Sequence, residues 1–299
     1  MLEIAVASGK GGTGKTFIAS NLILFFEKND LGGAIGVDAD VEAPDLALAL
    51  GGEEKVILKR EVRESVKASV NYDLCDGCLE CLKVCNFDAI ILEGSKPKII
   101  NEFCEGCGAC SIICPRKAIM LRETVTGWLS IVETASGVRI VKGDLEIGGR
   151  NTGHVVYMAR NEAKKLAEEA GKRFIIVDCA PGIGCPVVSS LSGADYLLLV
   201  VEPTPQSLQG AKRILEIAKA FKIKSYCILN KYDLNEEFSR KIPEELGLEA
   251  IGKIPYDEKV VESYTMMKPI MLSEADGKIK QALDELFEEF IRKIGVKQS

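Results

Sequence analysis

The sequence lacks any apolar run approaching the ~20 residues that cross a bilayer, and it carries no basic surplus: the net charge is −6. Together these argue against a membrane span and against a nucleic-acid surface as the main business. Histidine is almost missing. His154 is the only one, in the Gly-rich stretch RNTGHVV, and reads as structural rather than catalytic. No signal peptide is expected, because Leu2–Ala7 already reads as a core strand, so the chain is expected to stay in the cytoplasm. The 299 residues, 47% apolar and 27% charged, have room for one large α/β domain and a small one.

Cysteine is abundant instead. Eleven are present, and eight of them fall between Cys75 and Cys114, which points to metal rather than to disulfides in a reducing compartment. They form two repeats, CDGCLECLKVC and CEGCGACSIICP, each with the spacing C-x2-C-x2-C-x3-C. Three thiolates at that spacing wrap one face of an iron–sulfur cubane while the fourth turns to the other cluster. One 4Fe–4S cluster is therefore expected on Cys75, Cys78, Cys81 and Cys114, and a second on Cys85, Cys104, Cys107 and Cys110. Zinc knuckles need no third and fourth cysteine at these offsets. Cys179, Cys185 and Cys227 remain, and are expected to be buried structural thiols. The segment 70–122 resembles a bacterial two-cluster ferredoxin. It departs once: Asn86 stands where that family has proline after the fourth cysteine, whereas Pro115 keeps it.

The second motif is SGKGGTGKT (Ser8–Thr16), lying between an apolar strand and a helical run, with Gly9, Gly14, Lys15 and Thr16 matching G-x-x-x-x-G-K-[ST]. Its glycines, Gly9, Gly11, Gly12 and Gly14, with Thr13, let backbone N–H groups face an anion at a helix start. Lys15 then reaches the β/γ-phosphates and Thr16 binds Mg²⁺. Lys10 narrows the match, since KGGTGKT resembles the deviant P-loop of the MinD/ParA/nitrogenase-iron-protein ATPases. That resemblance implies ATP or ADP as ligand, a dimer closed around nucleotide, and a Lys10 that crosses to the partner's phosphates. DADVEAPDL (Asp38–Leu46) resembles switch I of the same class, with Asp40 positioning the attacking water and Asp38 near Mg²⁺. FIIVDCAPGIGCPV (Phe174–Val187) resembles switch II, with Asp178 the Walker B carboxylate and Pro181, Gly182 and Gly184 a turn that senses γ-phosphate. Asn230-Lys231-Tyr232-Asp233 resembles the base-reading site, Asn230 facing adenine with Pro255 and Tyr256 flanking the ring. It also resembles the guanine-reading N-K-x-D of GTPases, so ATP rests on the P-loop. Glu202-Pro203-Thr204-Pro205 reads as site architecture.

Strand–helix alternation means a doubly wound, mostly parallel sheet of the P-loop NTPase kind, with a small α+β ferredoxin-like insertion. The ATPase domain is expected over 1–54 and 151–299, and the insertion over 55–150. Val56–Val70 reads as a hairpin or linker with a solvated charged face, and a final amphipathic helix is expected from about Asp276 to Ile294, packed on the core. The whole chain resembles MinD-superfamily ATPases carrying an inserted ferredoxin. Three functions follow from that resemblance. The first is an ATPase, slow without its partner, whose dimer switching is coupled to electron transfer through two clusters. The second is an iron–sulfur or metal-cofactor carrier of the Mrp type, and the third a MinD- or ParA-like positioning ATPase with a redox-sensing insert. Expected partners are a second copy or a paralogue, and a redox or metallocofactor protein, with no membrane or nucleic acid.

Overall fold

The computed structural model describes residues 1–150, 152–273 and 277–296. The chain divides into two compact units: 1–59, 129–144 and 153–299 form the larger, and 60–128 with 145–152 the smaller.

The larger unit is built on a nine-stranded sheet in the order β13-β12-β11-β1-β10-β2-β9-β8-β3. The strands are β1 (Leu2–Ala7), β2 (Ala34–Ala39), β3 (Glu53–Val62), β8 (Gly127–Thr134), β9 (Arg139–Leu145), β10 (Phe174–Cys179), β11 (Tyr196–Val201), β12 (Lys224–Asn230) and β13 (Ala250–Ile254). From β13 to β9 every pairing is parallel. The helices are α1 (Lys15–Lys28), α2 (Leu46–Ala49), α5 (Thr152–Glu169), α6 (Cys185–Leu191), α7 (Pro205–Ala220), α8 (Glu236–Leu246), α9 (Glu258–Thr265) and α10 (Lys278–Ile294).

The central strands are apolar throughout because parallel strands are covered on both faces. Ile4, Val6, Phe174, Ile176, Leu198 and Val200 pack with α1 and α10 in one core cluster, through Ile18, Leu22, Phe26, Leu283, Phe287 and Phe290. The intervening residues Ala5, Ile175, Val177, Leu197 and Leu199 are equally buried and, by the two-residue period, point to the opposite side. Phe26 and Phe174 stack at 4.0 Å between ring centroids. The carboxy-terminal helix buries its apolar stripe in this core, as its spacing implies; its expected start at Asp276 lies outside the described residues. No helix among the described residues is long and apolar enough to cross a membrane.

The domain boundaries differ from the expected ones. Residues 129–144 were expected in the insertion, yet β8 and β9 extend the large sheet, β9 pairing parallel with β2 through Val37↔Val141. Val56–Val62 is likewise sheet edge, not linker, although residues 53–61 are all exposed as a solvated segment should be. The alternation in Trp128–Glu133 and Val138–Val141 identifies strands but carries no information about which sheet receives them.

The smaller unit holds β4 (Ser65–Val70) paired antiparallel with β7 (Ile119–Thr124), and β5 (Ile90–Glu93) paired antiparallel with β6 (Lys96–Ile99). Two short helices, α3 (Glu80–Lys83) and α4 (Ala109–Ile113), each carry a third cysteine of the repeats, Cys81 and Cys110. Both repeats turn alike after the fourth cysteine: Asp88 and Lys117, three residues on, each have φ 51°. Asn86 in place of proline therefore leaves the turn unchanged.

Removing the stacked ring by Phe174→Ala is expected to destabilise the protein by about 3–5 kcal/mol, measured by urea unfolding of the full chain. A loss below ~1 kcal/mol would show that the site collapses and that this contact is not central to the core.

Candidate nucleotide site and cysteine centres

The P-loop leaves the carboxyl end of β1, where open α/β sheets hold ligands. Two of its glycines are required by space. A Cβ added at Gly9 would overlap the backbone of Gly210 in α7, and one at Gly14, where φ is +94°, would overlap the Asn230 amide. Within the loop, Ser8 Oγ and Thr13 Oγ1 donate to the Lys10 carbonyl at 2.9 and 3.3 Å. The Gly182 N–H donates to the Ser8 carbonyl at 3.3 Å, so the turn Pro181–Gly184 lies directly beside it.

Four aspartates surround Lys15. Its Nζ lies 3.5 Å from Asp40 Oδ2. Burial works against its charge, but Asp178, Asp40, Asp45 and Asp38 together outweigh that and hold its pKa above the ordinary lysine value. Asp38 and Asp178 are register partners on neighbouring strands and are fully buried. Asp38 accepts N–H bonds from Asp40 at 3.1 Å and Leu46 at 2.8 Å, which ties both of its oxygens into the following loop. Neither oxygen of Asp178 has a partner, and burial raises its carboxyl pKa to about 7. Burial, then the Asp178 charge, also raises Asp38 well above the usual carboxylate range. A buried carboxylate that takes no backbone N–H is the kind of group a cation satisfies, so Asp178, with the Thr16 hydroxyl beside it, fits a Mg²⁺ site better than Asp38, whose two oxygens each accept an N–H.

Asp45 is a further participant, which its sequence position alone does not show: its Oδ1 accepts from Thr16 Oγ1 at 3.2 Å. Only its place in an acidic run beyond a strand marked it. Gly210 is another, detectable as an isolated glycine within an otherwise helical pattern.

Glu202 receives two lysines, Lys10 at 2.6 Å and Lys231 at 3.2 Å. Burial opposes its ionisation, but the hydrogen bonds from these lysines outweigh it and its pKa falls below the ordinary value. Lys231 Nζ also donates to the Gly12 carbonyl at 2.8 Å. Asn230 is held against the P-loop. It is 5% exposed, and its Nδ2 donates to the Thr13 carbonyl at 2.7 Å, so this amide braces the loop from below. Asp233 Oδ1 accepts from the Tyr256 N–H at 2.7 Å. The Tyr256 side chain is exposed, while Pro255 borders a surface pocket with Tyr232, Lys278 and Leu286.

In the smaller unit the eight cysteines sort into two pockets. One is lined by Cys75, Cys78, Cys81 and Cys114, the other by Cys85, Cys104, Cys107 and Cys110. Each fourth thiol thus joins the other repeat's first three, as the spacing implies. Cys81, Cys104 and Cys110 are buried in a core with Ala68, Ala89, Ile90 and Ile119. Burial raises the Cys81 and Cys110 thiol pKa values. The N–H groups of Ala118 and Ala68 point at Cys114 Sγ (3.3 Å) and Cys104 Sγ (3.4 Å). Among the described residues no three His, Cys, Asp or Glu side chains converge on a single ion; each quartet borders a space instead. Four thiols per quartet, with backbone N–H donors directed at them, suit soft, thiolate-ligated iron–sulfur groups.

Among the remaining cysteines, Cys179 and Cys227 are buried as expected, with thiol pKa values pushed up to about 12 by burial. Cys185 is not: it is exposed, because it opens α6 directly after the switch-like turn. His154 is exposed in the first turn of α5, near Tyr157.

Comparison with known proteins places this architecture. Two proteins of Methanocaldococcus jannaschii are similar along most of their length. An uncharacterized protein is 34% identical (97% of this chain, 96% of that one). An uncharacterized ATP-binding protein is 31% identical (97% and 98%). An iron-sulfur cluster carrier protein of Pyrococcus horikoshii is 23% identical over 98% of this chain and 86% of its own. Among solved structures, the septum site-determining protein MinD with Mg-ADP from Pyrococcus horikoshii shares the fold, with TM-score 0.59 and 19% identity over 99% and 98% of the two chains. The profile of the CobQ/CobB/MinD/ParA nucleotide binding domain matches residues 4–270. With that match laid over a P-loop and a parallel sheet, the chain belongs to the CobQ/CobB/MinD/ParA family of nucleotide-binding proteins.

Proposed function

We propose that this protein is an ATP-hydrolysing iron–sulfur protein, working as a dimer closed around nucleotide, in which turnover is coupled to electron transfer at two 4Fe–4S clusters. The observation that carries the reading is the sorting of eight cysteines into two exchanged quartets in a chain that also holds a complete P-loop. The smaller unit is read as a ferredoxin-like insertion between halves of the ATPase. When bound, the clusters supply one-electron carriers; the chain supplies eight thiolates and the donors directed at them.

At the nucleotide site, backbone N–H groups of Gly9–Thr16 and the start of α1 cradle the phosphates, and Lys15 bonds the β/γ oxygens. Thr16 and Asp178 would hold Mg²⁺, which supplies charge neutralisation on the phosphates, with Asp38 anchoring the loop that carries Asp40. Asp40 orients the attacking water. Lys10 leaves Glu202 when a second protomer docks and reaches the phosphates bound there, doing the work of an arginine finger. Pro255 and Tyr256 flank the adenine ring, their segment being tied to Asp233. The ATP-binding relative supports adenine over guanine.

A second reading, cluster carrier, is favoured by likeness to iron-sulfur cluster carrier proteins. Against it stand closed four-thiolate quartets and the absence of any cysteine after Cys227. ATP-dependent loss of iron to an apo-acceptor, with cluster potentials unmoved by nucleotide, would decide for the carrier.

Lys15→Ala is expected to abolish ATP binding in an equilibrium assay. Lys10→Ala should spare binding and lower turnover by on the order of 10³-fold or more, as loss of a trans cation does; unchanged hydrolysis would refute the trans role. Asn230→Ala should weaken ATP and GTP alike, by about 1–3 kcal/mol for the brace lost under the loop. A selective effect on ATP would decide for the base-reading role. Anaerobically reconstituted protein should hold about eight irons, four per cubane, and Cys114→Ser should lose about half of them. Stoichiometric zinc in their place would end the cluster reading.

A further inference from the structure

Lys67 lies in β4, within the smaller unit, and is only 6% exposed. Its Nζ donates to the carbonyl oxygens of Cys104, at 2.9 Å, and Gly148, at 2.7 Å. The N–H of the next residue, Ala68, donates to Cys104 Sγ. One strand therefore directs both an ammonium and an amide at a single cysteine of the quartet Cys85, Cys104, Cys107 and Cys110.

The other quartet is set differently. The charged side chains bordering its pocket are Asp76 and Arg116, which are exposed and paired at 2.7 Å, so their charges cancel close to the site. Glu105, which borders the Lys67 side, is likewise matched by Arg150. Backbone N–H groups are directed at sulfur in both quartets, from Ala118 and Leu82 in one and from Ala68 and Ser111 in the other, so the amides do not distinguish them. Lys67 does. It is a buried cation held by neutral carbonyls, with no carboxylate among the partners of its Nζ in the described residues.

We infer that Lys67 orders the two potentials, raising that of the cluster held by Cys85, Cys104, Cys107 and Cys110 above that of its neighbour. The inference rests on the proposal that both quartets hold 4Fe–4S clusters. Reduction adds one negative charge to a cubane, and a nearby charge poorly screened by water favours that form. In the half-reduced protein, one electron from an external one-electron reductant such as dithionite then resides at the Lys67 side. Moving it between clusters makes or breaks no bond and transfers no proton. Lys67 is a positioning residue for the electron, with no contact to nucleotide required.

The test is an EPR-monitored redox titration of the reconstituted full chain, with iron analysis, for wild type, Lys67→Arg, Lys67→Met and Lys67→Gln. In Lys67→Met the reduction constant of one cluster should fall about tenfold, a shift of 59 mV for a one-electron couple, while the other stays put. Lys67→Arg, which keeps the charge, should retain the wild-type order. If Lys67→Met fails to hold iron, Lys67→Gln, neutral but still a donor, carries the same expectation. The shift should persist in Cys114→Ser, which retains the Lys67-side cluster, and be absent in Cys85→Ser. Unmoved potentials in an iron-replete neutral variant would overturn the inference, as would Lys67→Arg falling as far as Lys67→Met, which would make packing the cause. Wild-type protein that takes zinc, or far fewer than about eight irons, would overturn the cluster reading itself before any potential is measured.

Discussion

One ammonium set among four buried or half-buried aspartates is the constraint on which the nucleotide site depends. Lys15 alone cannot neutralise Asp38, Asp40, Asp45 and Asp178, and the fully buried Asp178 has only Lys15 and the Thr16 hydroxyl nearby to favour its charge. Such an arrangement is expensive to leave unpaired in a protein interior. The fold concentrates it nonetheless, because parallel β1, β2 and β10 end together and present their last residues at one place. A divalent cation is the species whose charge this geometry suits.

Around that centre the remaining contacts hold the loop rather than the ligand. Gly9 lies against Gly210 with no room for a side chain, and Asn230 and Lys231 bond the carbonyls of Thr13 and Gly12. Glu202 keeps Lys10 and Lys231 side by side. The site is therefore shaped by α7 and the end of β12, which stand far along the chain from the P-loop. The two switch-like segments meet it as well: Gly182 donates one N–H to Ser8, while Asp40 lies beside Lys15 and Asp45 accepts from Thr16.

The cysteine unit follows a different logic. With many of its apolar side chains left on the surface, it buries three of its eight thiols in a small core and leaves Cys78 and Cys107 exposed. A polypeptide this small and this rich in exposed apolar groups, among them Phe103 and Ile112, gains order from metal when ligand binding is coupled to folding. That is the physical sense in which such clusters would be structural as well as redox groups.

Local pattern determined a great deal: a P-loop, its Walker B strand, the apolar parallel strands and the exchanged cysteine quartets are all spacing signals, and spacing is a property of the chain itself. Tertiary structure decided what spacing cannot carry. It sent residues 129–144 to the large sheet, because alternation marks a strand but not its neighbour. It turned Asn230 under the loop, brought Asp45 to Thr16, exposed Cys185, and buried Lys67 against Cys104, each a contact between residues whose distance along the chain hides their meeting in space.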